Sequence, residues 1–325
     1  MPKSAQYCEV PGLLSDDVLR WVGGRYISYF LKTPPDIACP RFWVIKPYVG
    51  CPYGCAYCYL QGTFYGDKRP RLKDLSRLQM ALKVFLDWCR GAGVRALLNA
   101  GELADSLAIP GWADKFLRAV KPILGGQEYV KILLVTKAGA ENAWPLEADP
   151  ELKGFVVASF SINPQKVVEL FEGGTAPLES RLEAARRLQN LGYEIRLRID
   201  PIIPIWDWER LYGDMVRMVF EDFGLAPTRV TLGTLRGLKK TLGFAKDRSW
   251  TMFFAGGEKT GWGLKMSGEL RARIYAEVAG RVLRYARADV ALCKETPEMW
   301  RRLEGVVDDP GRAPDWNGVK CNCIL

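Results

Sequence analysis

The residues best suited to chemistry lie in one short stretch, Cys51-Pro52-Tyr53-Gly54-Cys55-Ala56-Tyr57-Cys58-Tyr59. Its three cysteines are separated by three and then two residues. Thiolates are soft donors that favour iron–sulfur clusters or zinc over hard cations. Three of them can hold three irons of a [4Fe–4S] cluster and leave the fourth iron open. An open metal position is where chemistry occurs. Zinc usually draws on two pairs of ligands, and the sequence has no histidine to complete such a site. Gly54 lets backbone wrap the bound group closely. The spacing points to a catalytic cluster on Cys51, Cys55 and Cys58, with Tyr57 and Tyr59 beside it.

Other cysteines are less clearly placed. Cys293 ends a short apolar run, and Cys321-Asn322-Cys323 lies near the C-terminal end of the sequence. Together these three thiols could hold an auxiliary iron–sulfur cluster near the active face and tie down a tail prone to fraying. Free thiols with incidental spacing are the alternative. Cys8 and Cys39 have no partner spacing and read as ordinary thiols. Cys89 falls on an apolar helix face and reads as core.

The elements that must position these residues follow a rhythm. The chain has 325 residues, 48% of them hydrophobic, ample for one large core. Short apolar strands are expected at 42–45, 96–99, 130–135, 155–160, 193–199, 230–232 and 289–292. Helices are expected at 74–90, 113–120, 180–190, 208–220 and 271–286, where apolar residues recur at three- and four-residue steps. Such alternation implies a parallel sheet buried on both faces, α/β in class. About six βα units follow the first strand, fewer than the eight of a closed barrel. Residues 1–40 read as an N-terminal extension, 41–235 as the barrel unit and 236–325 as a C-terminal part, all in one compact body.

Ligands in such sheets gather at the carboxyl ends of the strands. There the sequence offers Gly101-Glu102, then Thr136-Lys137. A polar stripe of Ser159, Ser161 and Asn163 follows, and then Glu194, Arg196, Arg198 and Asp200 on one face of a strand. Charges on a core strand are costly unless they are paired or serve a ligand. Asp105 or Ser106 could instead cap the next helix.

Net charge is +9, from 46 basic and 37 acidic side chains. This permits a polyanionic partner without requiring one. Segment 236–265 interleaves Arg236, Lys239, Lys240, Lys246, Arg248, Lys259 and Lys265 with Trp250, Phe253, Phe254 and Trp262. That pattern suits nucleic-acid contact, with a solvated loop over the barrel mouth as the alternative. No run of 18 apolar residues appears, and the first residues lack an apolar signal core, so a cytoplasmic protein without a membrane span is expected. The absence of histidine disfavours histidine-based hydrolysis.

The cysteine loop resembles that of the radical S-adenosylmethionine (radical SAM) superfamily. The resemblance implies a partial (β/α)6 TIM-type barrel with N- and C-terminal extensions. It also implies a [4Fe–4S] cluster whose open iron chelates the methionine part of SAM. One electron then splits the sulfonium to methionine and a 5′-deoxyadenosyl radical that abstracts hydrogen. Such a centre is oxygen-sensitive, and a flavodoxin- or ferredoxin-type donor would supply the electron. Gly101-Glu102 is similar to the motif that holds the SAM amino group.

A narrower resemblance, over roughly residues 41–265, is to the spore photoproduct lyase family. It rests on Cys51 through Gln61, Val135-Thr136-Lys137, Phe160-Ser161-Ile162-Asn163, Gly173 through Leu178 with the following helix, and Asp200-Pro201-Ile202-Ile203-Pro204. A weaker match is Lys259-Thr260-Gly261-Trp262-Gly263, which is similar to the stretch before that family's DNA-probing hairpin. The resemblance implies SAM contacts at Lys137 and Ser161; Glu102, from the superfamily motif, and Ser159, Asn163, Arg196 and Arg198, from their strand-end positions, are further candidates. That family returns hydrogen from a cysteine just past the second strand. Here the region reads Gly101-Glu102-Leu103-Ala104, with no cysteine. The expected activity is therefore hydrogen abstraction from an unidentified substrate, with a nucleic acid as one candidate. One alternative is a DNA photoproduct lyase with another hydrogen source, such as Tyr57, Tyr59 or a tail thiol. Another is a non-catalytic iron–sulfur protein that binds nucleic acid or acts as a sensor. A monomer is expected.

Overall fold

A computed structural model describes residues 20–313 and 316–325; Cys8 lies outside them. Eight strands form one curled sheet: β1 (Ile27–Phe30), β2 (Phe42–Ile45), β3 (Ala96–Asn99), β4 (Val130–Thr136), β5 (Val156–Ser161), β6 (Glu194–Ile202), β7 (Arg229–Thr234) and β8 (Asp289–Leu292). Their order in the sheet is their order in the chain. β2 through β8 run parallel, and β1 pairs antiparallel with β2. Among the described residues no ladder joins β1 to β8, so the sheet is a half-barrel. The expected strands from 42 onward are all present. The eighth strand, β1, comes from the segment read as an N-terminal extension. Its polar and aromatic residues carry no clear period, and its order comes from the β2 edge it covers.

The main helices are α1 (Leu75–Ala92), α2 (Pro110–Leu124), α3 (Leu178–Asn190), α4 (Trp208–Arg217) and α5 (Gly268–Tyr285). α1 shows why they form where they do. The Asp74 carboxylate accepts from the Ser76 and Arg77 amides, satisfying two orphan donors of the first turn. Gly93, at φ 64°, ends the helix in the left-handed conformation that glycine adopts at no steric cost. Leu78, Leu82, Phe85, Leu86 and Cys89 are buried along one face. Phe85 meets the rings of Trp21, Trp43 and Trp88. Each such side chain contributes about 1.5–3 kcal/mol by leaving water, and Phe85→Ala would cost about 3–5 kcal/mol. α4 stops at Arg217, where one π turn (Met218–Asp222) carries the chain on.

Strand alternation divides the sheet into two faces. Leu98, Ile132, Leu134, Val156, Ala158 and Phe160 pack with the helices in the main core. Leu97, Leu133, Val135 and Val157 point the other way and form a separate interior cluster. The polar stripes noted in the sequence belong to this inner face. The C-terminal tail fills part of it. Arg196 donates to the Asn322 and Ile324 carbonyls at 2.9 and 2.6 Å. Arg229 donates to those of Cys321 and Ile324 at 3.0 and 2.6 Å. The Asn322 amide donates to Thr231 Oγ1 at 2.9 Å. Near the open edge, the Ala38 amide donates to the Glu295 carbonyl at 2.7 Å and links the chain after β1 to the chain after β8. Among the described residues no helix is long and apolar enough to cross a membrane.

Candidate active site

The carboxyl ends of the strands open onto a cavity of about 600 Å³. Cys51, Cys55 and Cys58 all line it, and none is in a disulfide. Their loop is held from several sides. Gly54 and Cys55 pair with Glu172 and Gly173 in a short antiparallel ribbon. A Cβ on Gly54 would lie 3.2 Å from the Gly173 carbonyl oxygen, so glycine suits this close approach. The Ala56 amide donates to the Phe171 carbonyl at 2.8 Å. Gln61 Nε2 donates to the Ala56 carbonyl at 2.8 Å, and Lys68 Nζ to the Cys51 carbonyl at 3.1 Å.

Burial, with the Asp105 charge second, pushes the Cys51 thiol up to about 12. Burial also raises Cys55 and Cys58. Thiolates at these positions therefore need a compensating positive group, which a metal cluster provides. Among the described residues no three Cys, Asp or Glu side chains meet closely enough for a single metal ion. Three free thiols facing one cavity are the donor set of a [4Fe–4S] cluster with one open iron.

Glu102 lines the cavity just beyond β3. Its turn is fixed by Asn99 Oδ1, which accepts from the Gly101 amide at 2.8 Å. A Cβ on Gly101 would sit 2.5 Å from Val135 Cβ, so no other residue fits without displacement. Lys294 Nζ lies 3.6 Å from Glu102 Oε1. Lys137, Ser161 and Arg198 also line the cavity. Arg198 is 2.5 Å from Asp200, whose carboxyl is held well below the usual range: burial raises it, but Arg236 and Arg198 outweigh that. Tyr57 and Tyr59 reach the same space. Tyr57 donates to Glu172, and Tyr59 to the Glu102 carbonyl.

Three expected residues are placed elsewhere. Ser159 is buried with its hydroxyl unpartnered and does not line this cavity. Asn163 sits behind it, donating to Glu172 at 2.8 Å and accepting from Tyr212 at 2.9 Å. Arg196 is engaged with the tail and with Glu194 at 2.7 Å. Asp105 and Ser106 cap no helix, since α2 begins at Pro110. Asp105 instead accepts from Thr136 Oγ1 at 2.7 Å and the Lys137 amide at 2.6 Å, fixing the end of β4.

Glu172 is the residue that sequence reasoning missed. It is wholly buried, 3.0 Å from Lys137 and 2.7 Å from Arg181. Burial would raise its carboxyl, but Lys137 and then Arg181, with the Tyr57 and Asn163 hydrogen bonds, hold it at about 2. Its only signal was the glycine pair after it. Cys39 is also better connected than its spacing suggested. It joins Cys293, Cys321 and Cys323 around a small cavity that shares Glu102, Arg198 and Lys294 with the large one.

The basic and aromatic segment divides. Trp250 is buried in a small core cluster. Lys265 is buried 2.7 Å from Glu295, and Arg236 is paired with Asp200 at 2.6 Å. These three are committed to the fold. Lys239, Lys240, Lys246, Arg248 and Lys259 are exposed. Glu258–Thr260 and Gly263–Lys265 form a hairpin whose Trp262 lines the large cavity, with Lys294 Nζ 4.6 Å over its ring.

A family model for spore photoproduct lyase matches residues 42–231. The spore photoproduct lyase of a Geobacillus species is 27% identical over 197 residues, covering 60% of this chain and 54% of the relative. That of Bacillus subtilis is 28% identical over 178 residues, covering 54% and 49%. The chain thus spans about half the length of the curated relatives it matches. A solved spore photoproduct lyase variant with bound AdoMet and dinucleoside spore photoproduct superposes with a TM-score of 0.66 at 21% identity, covering 78% of this chain and 76% of that one. That likeness establishes the half-barrel fold.

Proposed function

From the premise that this chain belongs to the spore photoproduct lyase family, we propose a radical SAM enzyme acting on a nucleic-acid substrate. One observation carries the reading. Cys51, Cys55 and Cys58 open onto the same cavity as Glu102, Lys137, Ser161 and Arg198. The three cysteines would hold a [4Fe–4S] cluster, which supplies one electron to bound SAM. Glu102, on its fixed turn, receives the SAM ammonium, a charge-assisted contact. Arg198 and Lys137 offer cations to the SAM carboxylate, and Ser161 a hydroxyl. Tyr57 and Tyr59 line the same cavity and are candidates for exchanging hydrogen with substrate. The electron comes from a flavodoxin- or ferredoxin-type donor. Placement matters because the radical carbon must meet its target hydrogen directly. The exposed lysines of 239–259 beside the mouth suit a phosphate backbone, and Trp262 suits a base.

A photoproduct lyase reaction is the second reading. The family match and the hairpin at the mouth favour it, and it needs a hydrogen donor other than a cysteine after β3. The deciding experiment is anaerobic reduction of the reconstituted chain with SAM, with and without ultraviolet-irradiated DNA. Methionine and 5′-deoxyadenosine should appear with wild type and vanish in Cys51→Ala/Cys55→Ala/Cys58→Ala. No SAM cleavage by wild type under any condition would leave a binding or sensor protein. Deuterium passing from labelled lesion into 5′-deoxyadenosine would identify the lyase reaction.

A further inference from the structure

We infer that Cys39, Cys293, Cys321 and Cys323 form a second iron–sulfur site, a closed four-thiolate cage for a [4Fe–4S] cluster. Three separate segments converge on it: the β1–β2 connection, the residue after β8, and the tail. All four cysteines are free and line one small cavity. Thiolate-only donor sets select iron–sulfur clusters or zinc.

Further observations point to a bound group. Asn322 lies between two of the cysteines and lines the cavity. It is wholly buried, yet neither its Nδ2 nor its Oδ1 has a partner. A buried amide left unpaired is costly, and a cluster sulfide can accept from Nδ2. Two donors already face the sulfurs. Arg198 stands 3.6 Å from Cys293 Sγ, and Asn99 Nδ2 stands 3.6 Å from Cys323 Sγ. Hydrogen bonds to sulfur are a recognised means of tuning such clusters. Arg198 and Lys294 also line the cavity, supplying positive charge beside a four-thiolate cluster that is net anionic.

With four protein ligands the cage leaves no iron open, so it binds neither SAM nor substrate. It pins the tail and the β1–β2 connection to the end of β8, where otherwise only main-chain hydrogen bonds and side-chain contacts hold them. The inference does not depend on the radical SAM reading, and its test separates the two.

The test is iron and sulfide per chain after anaerobic reconstitution of the full chain with ferrous iron and sulfide. Wild type should carry about eight irons, and Cys51→Ala/Cys55→Ala/Cys58→Ala about four, a twofold fall. The dithionite-reduced EPR signal of that variant should not change when SAM is added. Adding Cys39→Ser to it should remove nearly all remaining iron, while Cys89→Ala, outside the cavity, should not. An iron-free triple variant with a wild-type circular dichroism spectrum would overturn the proposal. So would zinc in place of iron, a disulfide among the four thiols, or full iron and an unchanged signal after Cys39→Ser. The Mössbauer spectrum of 57Fe-loaded wild type needs no variant. SAM should perturb about one iron in eight, whereas about one in four would mean a single cluster.

Discussion

Glu172 offers the sharpest test of how the fold builds the site. It is buried among Lys137, Arg181, Tyr57 and Asn163, and its backbone pairs with the cysteine loop. Glu172→Gln keeps the shape and removes the charge. Breaking a buried ion pair from one side costs about 3–5 kcal/mol, because the remaining charge is stranded. Here the stranded charges have partial relief. Arg181 keeps Ala176 O at 2.8 Å, Ser161 O at 2.9 Å and Thr175 Oγ1 at 2.6 Å. Lys137 retains 14% side-chain exposure. The expected loss is therefore near the lower bound, about 3 kcal/mol. At about 2 °C per kcal/mol for a chain of this size, the thermal midpoint should fall about 6 °C. The assay is circular dichroism of the metal-free chain at neutral pH under reductant. Lys137→Met/Glu172→Gln should cost less than the sum of the single changes, with a coupling of about 1–2 kcal/mol. A Glu172→Gln midpoint within about 1 °C of wild type would refute the view that this network holds the site.

The same carboxylate sets a pH dependence. Its folded pKa, about 2, lies below its ordinary 4.5, so its stabilisation is full above about 4.5 and is lost as pH falls toward 2. That contribution is about 3 kcal/mol, and Glu172→Gln should flatten the acid limb of a denaturation profile measured across this window. Gly101→Ala should cost about 1–3 kcal/mol, by chemical denaturation, because the new Cβ overlaps Val135. It should also weaken SAM binding through Glu102. Gly280→Ala, with open space at a mid-helix position of α5, should instead gain up to about 1 kcal/mol. Lys240→Ala and Lys246→Ala should each lower the slope of log affinity against log salt for single-stranded DNA by about 1, measured by fluorescence anisotropy. Unchanged slopes would place the nucleic acid elsewhere.

Much of this was legible in the sequence because it is local. The Cys51–Cys58 spacing points to a cluster loop whatever surrounds it, and the three thiols do open onto one cavity. The face of α1 and the apolar runs of β2 to β8 follow from helical and strand periods. The inward stripe of Ser159, Ser161, Arg196 and Arg198 marks the inside of a half-barrel. What the sequence could not rank was which of those inward groups meets the cavity. Ser161 and Arg198 do, whereas Ser159 and Arg196 lie elsewhere, with Arg196 bound to a tail far along the chain. Position along a barrel axis depends on strand stagger and on what plugs the interior, and neither is written in a strand's own alternation. Lys265 and Trp250 read as nucleic-acid ligands for the same reason, since composition does not say which side chain a long-range carboxylate or core will claim. Glu172 and Cys39 carry the strongest case. Neither has a local motif, and each acquires its role only when segments distant in the chain are folded against it, because pairing and ligation depend on distance in space.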